Sequence, residues 1–243
     1  MSSLTHVRYE ILRAGRNRLF LGLTVLLPLG LFYGVASGQR HVRFDGTAFP
    51  LYFMTAMAVY GAMFAVVTPG ARIARDRSRG WTRQLMITPL RARTDVIARV
   101  LTAYLMTVPS LVLVFLAGSS LWVRLGAGEW LELAGLLLAG IAPFVVIGLL
   151  LGYLLPADAA GAATGGTVLV FALLGGVYGF QLASSGPLFD VLKALPSYWL
   201  VQAGKTAVGG SGWPGQAWLV LGCWLVVLVP AAALAFRRSA ARA

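Results

Sequence analysis

The sequence predicts an all-α, polytopic membrane protein with six transmembrane helices and both termini in the cytoplasm. Three observations carry that prediction. Of 243 residues, 58% are hydrophobic and only 12% charged, with a mean hydropathy of +0.80. Soluble domains carry about 25% charged and 45–50% apolar residues. Six stretches have the roughly 20 apolar residues that cross a hydrocarbon core about 30 Å thick. The positive charges gather in alternate loops. The whole of 1–243 therefore reads as a single transmembrane domain.

The six stretches are 19–37, 49–69, 100–122, 133–155, 161–182 and 216–236. All are rich in Leu, Val, Ala and Gly, are too long for strands, and lack the alternation of a barrel. Val35-Ala36-Ser37 has the form of a signal cleavage site, but the apolar run before it exceeds the roughly 7–15 residues of a signal core. Pro28, Pro109, Pro143 and Pro230 fall within spans, where proline can kink a helix. Gly148 with Gly152, Gly161 with Gly165, and Gly175 with Gly179 have the spacing that lets helices approach closely, although such pairs also arise by chance in a glycine-rich chain.

Orientation follows from the arginines. The arm before the first span holds Arg8, Arg13, Arg16 and Arg18, and the second loop holds Arg72, Arg75, Arg77, Arg79, Arg83, Arg91 and Arg93, with Arg99 beyond. The tail adds Arg237, Arg238 and Arg242, whereas the alternate loops carry only Arg40, Arg43, Arg124, Lys193 and Lys205. Fifteen against five places the first set inside. Trp122, Trp130, Trp199, Trp213 and Trp218 lie near the predicted outer ends, where interfacial anchors belong.

The net charge of +12 does not point to nucleic acid, because no stretch is long enough for a soluble domain bearing a basic patch. Orientation and anionic headgroups account for it. Cys223 is the one cysteine, so no internal disulfide or cysteine metal cluster can form. Between the span ends there is no Asp, Glu, Lys, Arg or His. Proton-coupled carriers need such a group at depth, and membrane metalloproteases need paired His and acidic ligands. Neither set is present, and no metal site or catalytic residue is assigned. Gly204-Lys205-Thr206 resembles the end of a phosphate-binding loop, but the glycine that motif needs five positions earlier is Trp199. Energy for any transport must come from another subunit.

Three segments carry more design than a connection needs. The arm 1–18 has Leu4, Val7, Ile11 and Leu12 at helical spacing among arginines, which predicts an amphipathic helix in the inner interface; a frayed tail is the plainer account. The loop 71–95 continues the second span into a short helix across the inner face, with Ile73, Arg77, Gly80 and Gln84 on different sides of it. Thr88-Pro89 stops that helix, and Thr94-Asp95 can cap the next. A solvated basic loop would also enforce orientation, but Gly80, Trp81, Leu85, Met86 and Pro89 among arginines suit a protein contact better. The outer segment 183–213 offers two short helices, 187–195 and 197–208, separated by Pro196. They predict a re-entrant hairpin, whose bent backbone must be buried in protein or line a wet cavity; a surface loop is the alternative.

The run from Asp76 to Leu90, Asp-Arg-Ser-Arg-Gly-Trp-Thr-Arg-Gln-Leu-Met-Ile-Thr-Pro-Leu, resembles the cytoplasmic-loop signature of ABC-2 type transporter permeases, closest to the daunorubicin-permease kind of bacterial drug and antibiotic exporter. Leu195-Pro-Ser-Tyr-Trp-Leu-Val-Gln-Ala-Gly-Lys205 is similar to the stretch those permeases carry before their last span. The resemblance implies a permease polypeptide that pairs with a second permease copy, as a homodimer, and with two cytoplasmic ATPase subunits. ATP and Mg would be bound by those subunits, not by this chain. It further implies that Asp76, Arg77, Arg79, Gly80, Trp81, Gln84, Leu85, Thr88 and Pro89 form the coupling helix seated in the ATPase, and that the arm 1–18 is the connecting helix. Asp76 stands where many relatives have Glu, and Gly80-Trp-Thr-Arg83 departs from the Gly-Thr-Leu-Glu of other branches.

The expected function is ATP-driven export across the bacterial cytoplasmic membrane, with eighteen arginines against two lysines pointing to a GC-rich bacterial genome. Spans without fixed charge suit an amphipathic or apolar cargo such as a drug, antibiotic or lipid-like compound. Candidate pathway residues in spans two and five are Tyr52, Thr55, Tyr60, Thr164, Thr167, Tyr178 and Gln181, each of which could instead only stabilise a helix contact. The rival functions are a membrane anchor that recruits a cytoplasmic partner through 71–95 and, more remotely, a lipid-acting membrane enzyme.

Overall fold

A computed structural model of the chain describes residues 22–39, 41–44, 46–79, 92–120, 123–178, 185–209 and 212–241. The arm 1–18 lies outside these residues, as do Gly80, Trp81, Gln84, Leu85, Thr88, Pro89 and Gln181. Among the described residues, five helices are long and apolar enough to cross a membrane, and the protein is predominantly helical. The first predicted span begins outside them; its described part is the shorter apolar helix Thr24–Ala36. In that region a π turn, Gly22–Leu26, runs into α1, Leu27–Ala36, and the Thr24 carbonyl, four residues before Pro28, accepts the Ser110 hydroxyl at 2.9 Å.

The chain is not wholly α. Arg43–Phe44 (β1) and Thr47–Ala48 (β2) form a minimal antiparallel hairpin, Arg43 opposite Ala48 and Phe44 opposite Thr47. Gly46 at φ +77° supplies the turn.

Helix α2, Phe49–Val67, is the axis of the bundle, packed by α1 and by four later helices described below, Ala92–Ser120, Ala142–Leu154, Ala157–Leu174 and Pro196–Gly209. Of its 19 residues only Tyr60 and Phe64 are not buried. A helix apolar on all sides belongs in a core. Neighbours reach it through small residues: Gly118 lies against Met54, Gly204 against Thr55, and Gly61 of α2 itself against Ser110. Helix α3, Pro69–Ser78, follows with only Thr68 between, and the Thr68 hydroxyl donates to the Phe64 carbonyl at 2.7 Å. Together Phe49–Ser78 make a 30-residue rod. At about 1.5 Å per residue it is ~45 Å long, some 15 Å more than a hydrocarbon core. The surplus is the charged end.

Helix α4, Ala92–Ser120, carries Pro109 internally. It starts before Thr94, so Thr94 and Asp95 sit in its first turn and not ahead of it. The fourth span is two helices, α5 (Ala127–Gly140) and α6 (Ala142–Leu154), broken at Ile141 with Pro143 opening the second. Glu129 accepts the Gly126 N–H at 2.7 Å and so caps α5.

Helix α7, Ala157–Leu174, both starts and ends earlier than the predicted fifth span. Gly176, at φ +79°, stops it. The Val177 N–H reaches the Ala172 carbonyl at 2.9 Å and the Gly176 N–H the Leu173 carbonyl at 3.3 Å, the two bonds of a Schellman cap. Tyr178 therefore lies in a turn, and Gly179 lies outside the described residues. Two shorter helices follow, α8 (Pro187–Lys193) and α9 (Pro196–Gly209). Helix α9 packs into the bundle against α2 and α5, burying Leu200, Ala203 and Ala207 completely. Helix α10, Gly215–Ala241, passes Pro230 without a break, packs on α6 and leaves most of its surface exposed.

Of the tryptophans read as interfacial anchors, Trp199 and Trp213 are instead buried. Trp199 Nε1 donates to the Lys193 carbonyl at 2.8 Å, which fastens α9 to α8.

Candidate functional site

The arginine-rich end of the bundle is held by backbone contact between α6 and the junction of α2 with α3. A Cβ placed on Gly148 would lie 2.6 Å from the Val66 carbonyl oxygen, and one on Gly152 2.7 Å from the Gly70 oxygen. One on Gly70 would meet the Gly148 carbonyl itself. Glycine at these positions lets α3 press onto α6 with no side chain between. Gly161, Gly165 and Gly166 on α7 face open space in the chain.

Polar bonds build on that contact. Arg77 Nη1 donates to the Gly152 carbonyl at 2.9 Å and, more weakly, to the Leu155 carbonyl at 3.5 Å. These are carbonyls at the C-terminus of α6, which carry partial negative charge and lack helical partners. Asp76 faces Arg99 of α4 at 3.9 Å, both about five-sixths buried, so α3 is tied to α4 on one side and α6 on the other. Arg75 bonds back to the Ala71 carbonyl, and Arg79, the C-cap residue, is exposed. Ile73 is buried against Leu149, Tyr153 and Ala235 and is core, not surface.

Of the nine predicted coupling residues, Asp76, Arg77 and Arg79 are described. The first two are engaged inside their own chain; the other six lie outside the described residues.

Most of the described pathway residues bond within the bundle. Tyr52 is buried, and its hydroxyl donates to the Gly176 carbonyl at 2.6 Å, joining the middle of the bundle to the cap of α7. Thr55 and Thr164 are buried and donate to carbonyls one turn back, Leu51 and Ala160; Thr167 does the same to Ala163. Tyr60 and Tyr178 lie together, ring centroids 6.4 Å apart, on the less buried side of α2. Helix contact accounts for Tyr52, Thr55, Thr164 and Thr167. Among the described pathway residues only Tyr60 and Tyr178 form a grouped, partly open pair.

Sequence reasoning gave no role to a cavity of about 40 Å³ between α3, α4 and α6, lined by Arg72, Arg99 and Thr102 with Ile73, Met106 and Leu149. Its trace in the sequence is the spacing of Arg99, Thr102, Ala103 and Met106, one face of one helix.

The described residues are those of a polytopic helical membrane protein with its charge at one end of a central rod. No family model matches the chain. A protein of Bacillus subtilis (strain 168) named "Putative transport permease YvfS" is 25% identical over 191 residues, 78% of this chain and 78% of that one. The chain is thus similar to a transport permease across most of its length.

Proposed function

We propose that the chain is the permease subunit of an ATP-driven exporter of the ABC-2 type, working as a homodimer with two cytoplasmic ATPase subunits. The observation that carries this reading is the rod Phe49–Ser78. Its apolar part is the buried axis of the bundle, and its charged end runs into the segment that resembles a coupling signature. Displacing that end displaces the rod on which α1, α4, α6, α7 and α9 pack. ATP and Mg reside on the partner; its closure pulls the coupling segments together, and the spans rearrange to release cargo outward. The resemblance in sequence to a transport permease supports the same reading.

The arginine-rich end faces the cytoplasm of a bacterial cell, as the charge asymmetry requires. The cargo is amphipathic or apolar and enters from the inner leaflet, and α8 with α9 forms the re-entrant hairpin of the outer side. Gly80, Trp81, Gln84, Leu85, Thr88 and Pro89, with Arg79, make the ATPase contact, whereas Asp76 and Arg77 brace it from within.

The test is purification of the full chain from native membranes in mild detergent. A stoichiometric soluble ATPase is expected, and Gly80→Trp or Pro89→Ala should leave membrane insertion intact while weakening its attachment and abolishing export. A chain that emerges alone, under conditions that preserve known complexes, would make the membrane anchor the better account.

A further inference from the structure

We propose that the fourth span is hinged at Ile141, so that α6 swings with the rod as one body while α5 stays with α9. This inference rests on the transport reading above, in which the ATPase displaces the rod, and it names where the bundle yields. Three observations carry it.

The first is a splint. The rod is interrupted where Pro69 opens α3, because proline has no N–H to offer the carbonyl four residues back, that of Ala65. Such a joint is a place to bend. Helix α6, however, lies across it. A Cβ on Gly148 would stand 2.6 Å from the Val66 carbonyl oxygen and 3.1 Å from that of Val67, both ahead of the joint. Gly70, beyond the joint, lies against Gly148 as well. A Cβ on Gly152 would stand 2.7 Å from the Gly70 oxygen and 2.8 Å from the Ile73 side chain. Close-packed contact on both sides of a joint transmits strain across it. Rod and α6 therefore move together.

The second is the break itself. Pro143 lacks the N–H that the Ala139 carbonyl would receive in a continuous helix, and the Phe144 N–H turns to the Ile141 carbonyl at 3.0 Å. Pro109 and Pro230 lie inside α4 and α10 without dividing them, so proline alone does not make this break.

The third is a clamp on the far side. Gly140 is the last residue of α5, and a Cβ there would stand 2.5 Å from the Trp213 ring and 2.6 Å from the Leu200 side chain. Helix α5 packs on α9, whereas α6 packs on α3 and α10. The break thus falls between Gly140, seated against Leu200 of α9, and Gly148, seated on the rod. A displacement of the rod is taken up in the short stretch between them, as hinges concentrate their change in a few residues at element ends.

The experiment is hydrogen–deuterium exchange of the full chain, purified in mild detergent with its ATPase, with and without ATP and Mg. ATP should speed exchange in peptides covering 141–147 and leave 66–73 and 148–152 unchanged. Pro143→Ala restores the missing N–H. It should slow exchange at 141–145 about fivefold, the worth of one regained hydrogen bond, and blunt the response to ATP. Pro143→Gly adds the N–H but keeps the backbone soft, so it should respond to ATP as the parent does. Pro230→Ala changes a proline that divides no helix and should leave 141–147 as in the parent. A response at 66–73 and 148–152 equal to that at 141–147 would place the yielding at the splint and overturn the hinge. So would exchange at 141–145 that Pro143→Ala leaves untouched, a readout the chain gives without any ATPase. A chain that purifies alone counts against the transport reading, and the Pro143→Ala comparison then decides the hinge by itself.

Discussion

The guanidinium of Arg77 donates to the carbonyl of Gly152 at 2.9 Å, joining the last turn of α3 to the last turn of α6. Arg77 is thus an internal brace within the basic loop. It sits where the rod leaves the bundle and where α6 hands over to α7, so a push on the rod reaches both the fourth and fifth spans. A cation at a helix C-terminus is stabilised by the exposed carbonyls and the helix dipole together.

Arg77→Met should lower stability by about 1 kcal/mol, the scale of a partly exposed charge at a helix end. Arg77→Lys should recover part of it, because the charge stays while the rigid guanidinium, whose Nη1 reaches both Gly152 and Leu155, is lost. Thermal melting of the purified variants measures the ranking Arg, Lys, Met. Equal melting of all three would mean the bond does not brace the rod.

The long-range bond from Tyr52 to Gly176 gives a second expectation. Tyr52→Phe leaves the ring in place but removes the donor, and a buried carbonyl loses its partner at a cost of about 1–2 kcal/mol. Gly176→Ala acts on the same cap by another route, since φ +79° costs a side-chain-bearing residue about 1–2 kcal/mol. The two residues share one bond, so the double variant should melt higher than the sum of the single effects predicts. Strict additivity would separate Tyr52 from the cap.

How much of this was legible in the sequence depends on the kind of signal. Apolar runs of the right length marked the five long apolar helices found among the described residues, and the Gly148–Gly152 spacing marked a close contact that the structure makes. The end of the fifth span was hidden because the run stays apolar through Gly175 and Gly176, and hydropathy does not register a left-handed glycine. The role of the second span as the axis was hidden for a related reason. A helix apolar on every side has no face to read, so nothing in the sequence announced the bonds of Tyr52 to Gly176 and of Thr55 to Leu51. Asp76 with Arg99, and the cavity beside them, join helices distant in sequence, and no periodicity within either helix announces such a pair.

The glycines offer the sharpest contrast between the two halves of the site. Gly148→Ala places a methyl within 2.6 Å of the Val66 carbonyl oxygen, which is backbone and cannot turn aside. The contact of α6 with the α2–α3 junction must then open, carrying Arg77 away from Gly152 and widening the cavity at Leu149. Overpacking of this kind costs about 1–3 kcal/mol. Gly165→Ala on α7 meets nothing within 4 Å, and replacing a helical glycine removes backbone freedom worth about 0.5–1 kcal/mol, so it should melt at or above the parent. If the α3–α6 contact transmits the movement of the rod, Gly148→Ala should also depress ATP-driven export by more than Gly165→Ala in reconstituted vesicles. Loss of stability at Gly148 with export per folded molecule unchanged would confine that contact to folding.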